Sequence, residues 1–202
     1  MKIVILGAGA AGVSAAETIL KHNSDWQILV VSKEKSLPYS PVSLAEYVEG
    51  RVSREKLLLW DDAFAREHRI DLSLGLAVVG VDPEKKKVTM GDGSDRRYDK
   101  LLIASGASPI LPDDLVGRPG VFTLRTLADA EAIHDEAGEK VVVYGAGAVA
   151  VKAGVALSRA GRDVTMLCRS RVLRRLFDAD ISQMIYGRLV ANGIRVVQAQ
   201  EG

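Results

Sequence analysis

Apolar positions along the chain fall into short runs separated by longer amphipathic stretches. Ile3 to Leu6, Ile28 to Val31, Val141 to Tyr144 and Val164 to Leu167 are near-continuous and rich in β-branched residues, which reads as strands. Helical spacing occupies the interval within each pair, over Gly12 to Lys21 and over Ala150 to Ala160. Strand, helix and strand in that order predict an α/β chain with parallel sheets. Further along, Leu44 to Gly50 and Arg54 to His68 read as helices. Asp71 to Met90 turns to a β pattern with Asp82-Pro83 as its turn, and Gly91 to Ser94 forms a hairpin loop. Lys100 to Ala104 reads as a buried strand, Leu127 to Glu136 and Asp178 to Asn192 as helices, and Ile194 to Gln198 as a last strand. Pro38-Tyr39-Ser40-Pro41 is non-helical, because each proline biases its predecessor toward extended geometry. Ala107 to Leu124, with Pro109, Pro112, Gly117, Pro119 and Gly120, reads as a linker.

Both strand-to-helix turns carry the same glycine pattern. Gly7-Ala8-Gly9-Ala10-Ala11-Gly12 follows the first strand, and Gly145-Ala146-Gly147-Ala148-Val149-Ala150 follows Tyr144. The first glycine allows the tight turn, the second lets backbone approach a pyrophosphate, and the third small residue lets helix and strand close up. The helix N-terminus then presents unpaired N–H groups to the phosphates. One copy alone is weak, since such turns also arise without a ligand. Two copies starting 138 residues apart suit two nucleotide sites and suggest electron transfer between two cofactors. A secretory signal is excluded for the first copy, because its apolar run is too short and continues as a patterned helix. The expected architecture is two Rossmann-like, three-layer domains with parallel sheets and a small β-meander in the first. Residues 1–110 form the first domain and 111–202 the second, which stops sooner than a doubly wound domain usually does.

Composition narrows the chemistry. A formal net charge of +1 over 202 residues gives no reason to expect nucleic acid or an anionic membrane as partner. No stretch approaches the ~20 apolar residues of a membrane span, and the composition suits a cytoplasmic protein. Cys168 is the only cysteine, so no internal disulfide or thiol pair is possible; at a strand end it reads as a buried structural thiol. His22, His68 and His134 are too widely spaced to suggest a metal site. Arg169, Arg171, Arg174 and Arg175 form a basic run, for which a solvated helix face is the ordinary explanation.

Four motifs resemble the FAD-dependent pyridine nucleotide oxidoreductases across nearly the whole chain. They are Ile5 to Gly12, Leu37-Pro38-Tyr39-Ser40-Pro41, Tyr98 to Pro109 around Ala104-Ser105-Gly106, and Val121 to Ala130. The resemblance implies FAD at the first glycine turn and NADPH or NADH at the second. It would give Gly7, Gly9, Ala11 and Gly12 to the FAD pyrophosphate and Glu34, beside Lys33, to the adenosine ribose. It would also give the Val78 backbone to the adenine, and Ala104, Ser105 and Gly106 to the turn passing the cofactor. Tyr39, Ser40, Pro41 and Glu46 become candidates for the flavin-proximal face, Tyr39 alternatively a packed aromatic anchoring its turn. At the second turn, Gly145, Gly147, Ala148 and Val149 would meet the nicotinamide cofactor. Ser170, between Arg169 and Arg171, stands where the first unit has Glu34, and this suits the 2′-phosphate of NADPH.

Three features depart from the family pattern. Val42 and Ser43 occupy the region where some branches carry a redox cysteine, so no thiolate or sulfenic acid can form there. Lys152 stands where many relatives have glutamate near the nicotinamide, unless it simply points outward on its helix. The segment that completes the FAD pocket and dimerises in relatives is not matched: the chain is a fragment, or is naturally short, or a homodimer or partner subunit completes the FAD site. The implied function is hydride transfer from NAD(P)H to FAD and onward to an unidentified acceptor, with no side chain as catalytic nucleophile. The alternative is a non-catalytic or incomplete nucleotide-binding subunit.

Overall fold

The computed structural model describes residues 1–23 and 25–198; the last four positions of the second expected domain lie outside the described residues. Along the chain the elements are β1 (Lys2–Leu6), α1 (Ala10–His22), β2 (Gln27–Ser32), α2 (Leu44–Val48), α3 (Arg54–Leu57), α4 (Asp62–Glu67), β3 (Ile70–Leu74), β4 (Val78–Asp82), β5 (Lys87–Met90), β6 (Asp95–Arg97) and β7 (Lys100–Ile103). They continue with α5 (Leu127–Glu136), β8 (Lys140–Tyr144), α6 (Ala148–Arg159), β9 (Asp163–Cys168), α7 (Ala179–Ala191) and β10 (Arg195–Gln198). The chain divides into two units, one of Met1–Pro41 with Arg54–Pro109, the other of Val42–Ser53 with Ile110–Gly202.

The first unit is built on a four-stranded parallel sheet in the order β3-β2-β1-β7, with an antiparallel meander β4-β5-β6. Period-2 alternation explains why β1 is apolar at every step from Ile3 to Leu6. Ile3 and Ile5 face one way, into a core with Val13 and Ala16 of α1, Ile28, Val30, Trp60 and Ile70. Val4 and Leu6 face the other way, against Val31 and against Val88 and Met90 of the meander. Helix, sheet and meander are thus three layers, and the central strands are buried from both sides.

Two expectations fail here. Arg54 to His68 is not one helix. Leu58 leaves it to form an antiparallel bridge with Tyr39, the Leu59 N–H donates to the Pro38 carbonyl at 2.8 Å, and the helix restarts only where Asp61 caps the Phe64 N–H at 2.7 Å. The Leu59 and Trp60 N–H groups bond to Pro38 instead of continuing a helix, and the break seats Trp60 in the core with its indole N–H on Glu17 at 2.9 Å. Nor is β7 a buried strand: as the sheet edge it has only β1 beside it, and Ile103 is 65% exposed.

The second unit has a three-stranded parallel sheet in the order β10-β9-β8. Val164, Met166 and Cys168 of β9 are buried, and a side chain at Gly154 of α6 would meet the Met166 sulfur at 3.2 Å, so glycine lets this helix lie close to the sheet. Leaving the meander aside, the strand–turn–helix arrangement repeats that of the first unit. α5 starts with a capping box, Thr126 accepting from the Asp129 N–H and Asp129 from the Thr126 N–H. Helix α2, although early in sequence, belongs to this unit. Tyr47 packs its ring on His134 of α5, and the Lys152 ammonium of α6 donates to the Val42 carbonyl at 2.6 Å and approaches Glu46 to 3.1 Å. Among the described residues, no helix is long and apolar enough to cross a membrane.

Candidate functional site

The two glycine turns have parallel geometry. Gly7 and Gly145 have φ of +113° and +126°, values open to glycine and costly for other residues. Gly9 and Gly147 are the N-caps of α1 and α6, with φ of −79° in both and no side-chain cap. The first N–H groups of each helix therefore find no partner within the helix itself. Each turn also sits at the end of the neighbouring strand, where Gly7 N–H donates to the Val31 carbonyl and Gly145 N–H to the Leu167 carbonyl, at 2.7 and 2.9 Å.

The glycines of the first turn serve different ends. A Cβ on Gly7 would lie 2.2 Å from the Ala104 carbonyl oxygen, and one on Gly12 would lie 2.0 Å from the Gly7 oxygen. Both are required by the protein's own packing. Gly9 and Gly147 have nothing within 4 Å of the corresponding point. Protein packing gives no reason for glycine there, whereas a phosphate group lying against the backbone would. The residues present therefore fit a dinucleotide pyrophosphate at each turn. Ala11 lies in the first turn of α1, and Ala148 and Val149 in that of α6.

Other expected residues of the first unit gather unevenly. Ala104 closes on Gly7 through its carbonyl and donates its N–H to the Leu6 carbonyl at 2.8 Å; Ser105 comes next, then Gly106 at φ +69°. Lys33 and Glu34 come after β2, Lys33 exposed and Glu34 half-buried, with the Glu34 N–H on the Ser32 hydroxyl at 3.1 Å and its carbonyl accepting from Gly75 at 2.9 Å. The Tyr39 hydroxyl donates to the Glu34 carboxylate at 2.6 Å. Val78 packs into the cluster of Val4, Leu6, Val88 and Met90. Ser40 bonds through its N–H to the Leu57 carbonyl, and Pro41 ends the unit's first segment.

Glu46 lies in the second unit, where Lys152 and Arg51 approach its carboxylate to 3.1 and 3.5 Å. Burial alone would raise its pKa, but hydrogen bonds from its backbone and from Lys152, with the charges of Lys152 and Arg51, outweigh that and hold it below the ordinary carboxylate value. Lys152 accordingly does not point idly outward.

The arginine run is also not a helix face. Residues 169–177 form the connection from β9 to α7, anchored where the Leu173 N–H donates to the Ala146 carbonyl of the glycine turn at 2.8 Å. Ser170, Arg171, Arg174 and Arg175 line an open cavity of about 460 Å³. Arg169 is exposed at the strand end, and Arg171 also reaches the Phe177 carbonyl at 3.4 Å. Arg174 and Arg175 are the residues sequence reasoning set aside; the usable signal was four arginines within seven residues of a strand end, beside a glycine turn. Cys168 is buried, and desolvation raises its thiol pKa. Among the described residues, no group of three His, Cys, Asp or Glu side chains could hold a metal.

Two α/β units, each ending its first strand in a glycine turn fitted to a dinucleotide, define a two-site nucleotide-binding protein. Residues 1–201 match the pyridine nucleotide-disulphide oxidoreductase family, and the chain belongs to it. Members of this family are flavin-dependent oxidoreductases that use FAD and bind NADH or NADPH. A protein described as NADH oxidase from Methanocaldococcus jannaschii is 33% identical over 98% of this chain and 47% of its own length. The reductase in a covalent putidaredoxin reductase–putidaredoxin complex superposes with a TM-score of 0.91 at 27% identity, over 98% of this chain and 49% of that one. An engineered water-forming NADPH oxidase, solved with NADPH bound, gives 0.89 at 27% identity, over 98% and 46%. The chain spans about half the length of the curated relatives it matches.

Proposed function

We propose that this chain is the two-nucleotide part of an FAD-dependent NADPH oxidoreductase. The observation that carries the reading is the open second glycine at each of two helix N-termini, Gly9 and Gly147. Residues 1–110 hold FAD in this reading, through Gly7, Gly9, Ala11 and Gly12, with Glu34 on the adenosine ribose and the Ala104 to Gly106 turn alongside. Residues 111–202 hold the nicotinamide cofactor through Gly145, Gly147, Ala148 and Val149. When bound, FAD accepts hydride from the reduced nicotinamide and passes electrons onward, so the protein's part is to position and to exclude water. With Val42 and Ser43 in place of a cysteine, no thiol there takes the electrons onward; one matched relative is solved joined to putidaredoxin and another is named for rubredoxin.

The preference for NADPH rests on Arg169, Ser170, Arg171, Arg174 and Arg175 and on a spacing. The engineered NADPH oxidase carries introduced Ala, Ala, Arg, Ser and Arg at successive intervals of 18, 1, 1 and 5 residues. Ala150, Cys168, Arg169, Ser170 and Arg175 of this chain stand at the same intervals, differing in type only at Cys168. No carboxylate remains there to claim a free ribose hydroxyl, and guanidinium groups match a 2′-phosphate in charge and fork geometry.

The test is a visible spectrum of the protein with FAD, then anaerobic titration with NADPH and with NADH. Bound flavin bleached at lower NADPH than NADH is the expected result. In Arg175→Ala the NADPH requirement rises by roughly tenfold, the worth of one charge-assisted hydrogen bond, while that for NADH stays put. Flavin that binds and is bleached by neither nucleotide supports the non-catalytic reading instead.

A further inference from the structure

Tyr39 belongs to a motif whose expected place was the flavin-proximal face, yet its hydroxyl is on a carboxylate five residues back. The bond to Glu34 Oε2 is 2.6 Å long, the short, charge-assisted range of an O–H donor on a carboxylate. Tyr39 itself is 7% exposed. Its backbone is fixed from both sides: the bridge joins it to Leu58, the Ser40 N–H donates to the Leu57 carbonyl at 2.8 Å, and the Pro38 carbonyl accepts from Leu59 at 2.8 Å. The Glu34 backbone is equally tied down, by the Ser32 hydroxyl and by Gly75. The break that makes α3 and α4 two helices is what supplies the partners holding Pro38 to Ser40 in place.

We infer that Tyr39 is a positioning residue for ribose recognition, holding the Glu34 carboxylate so that Oε1 is aimed at the adenosine 2′-hydroxyl of FAD. This rests on the reading of Glu34 as the ribose acceptor. A glutamate has three side-chain torsions, and a free one must give up that freedom on binding. Tyr39 removes the freedom beforehand and uses one oxygen, leaving the other to accept from the ribose. The 2.6 Å bond also spreads the carboxylate charge over a neutral donor without competing as a second cation would. The consequence is specific: Tyr39 matters to FAD only through a ribose hydroxyl that it does not touch.

The measurement is the affinity of the apoprotein for FAD and for an FAD analogue lacking the adenosine 2′-hydroxyl, monitored by quenching of flavin fluorescence. Wild type should prefer FAD by roughly tenfold, the worth of a hydrogen bond to a charged acceptor. Tyr39→Phe keeps the buried ring and removes the donor; it should lose most of that preference while binding the analogue as wild type does. A merely structural loss would weaken both ligands alike, and that outcome overturns the inference. So does Tyr39→Phe keeping the full preference while Glu34→Ala loses it, which leaves Glu34 as ribose acceptor but removes Tyr39 from the role. If Glu34→Ala keeps the preference, the assignment of Glu34 itself fails, and the inference with it. Thermal melting of each variant without FAD reports whether the fold is intact. Should Tyr39→Phe melt early, Glu34→Gln takes its place: Tyr39 holds its one acceptor oxygen and leaves the NH2 toward the ribose, so most of the preference should be lost, and a full preference there overturns the inference.

Discussion

Glycines of one motif answer to different forces, and mutation should separate them. Gly7 combines a φ of +113° with a backbone carbonyl 2.2 Å from where a Cβ would go. Neither problem can be relieved by turning a side chain, so Gly7→Ala should cost the first unit more than about 2 kcal/mol. Gly9 has an ordinary φ of −79° and open space in front. Gly9→Ala should change stability by less than about 1 kcal/mol. It should still weaken FAD binding by roughly tenfold or more, because the added methyl displaces phosphate from the helix N–H groups. Melting curves and flavin-fluorescence titration of both variants check this; equal loss of stability in the two would show that Gly9 is structural after all. The sequence displayed both glycines equally. Only the partner, Ala104, almost a hundred residues away, tells them apart.

At the scale of elements, what could be read locally was read well and what depended on distant partners was not. β1, β2, β8 and β9 arise from apolar runs, and α1, α5, α6 and α7 from spacing with glycine, threonine or aspartate at the caps. The helix expected from Arg54 to His68 was lost to a bridge with Tyr39 that no local pattern announces. β6, Asp95-Arg96-Arg97, has no apolar residue and is exposed along its length, so only its pairing with β5 makes it a strand. The arginine run misread as a helix face is a connection because Leu173 hydrogen-bonds back to Ala146. Helix α2 shows how such distant contacts carry a pH dependence. Glu46 has a lowered pKa in the folded protein, so its contribution to stability is complete above its unfolded pKa and disappears as pH falls through the lower folded value. Its partners Lys152 and Arg51 are half-exposed or more, which limits the effect to about 0.2–1 kcal/mol. Glu46→Gln should therefore be less stable than wild type near neutrality, the gap closing below about pH 4. Denaturant midpoints of the two proteins across that range are the check, and a gap that persists in acid would mean that the charge is not its source.

For the whole molecule, the order of residues and the order of folding units differ, and that difference has a measurable consequence. Residues 42–53 interrupt the first unit in sequence but cluster with the second. The attachment is chemical as well as spatial. Lys152 holds Val42 and Glu46, Arg159 reaches Glu49 at 3.7 Å, Tyr47 packs on His134, and His134 Nδ1 lies 3.4 Å from the Val48 carbonyl. Proteins open locally in cooperative units defined by such contacts and not by chain order. Ligand binding stabilises the unit that binds it. Amides of α2 should therefore gain hydrogen-exchange protection together with α5 and α6 when NADPH is added, and should do so in the Gly9→Ala variant, where FAD binding is impaired. Protection of α2 that tracks FAD alone, with α1 and β2, would assign the segment to the first unit in solution. The segment begins immediately after Pro41, so its allegiance decides whether Tyr39, Ser40, Pro41 and Glu46, grouped in the sequence reading, work as one set. By contacts, that set divides after Pro41, Glu46 falling in the second unit. Tyr39 holds the Glu34 carboxylate within the first unit, while Glu46 and Lys152 fasten residues 42–53 to the second.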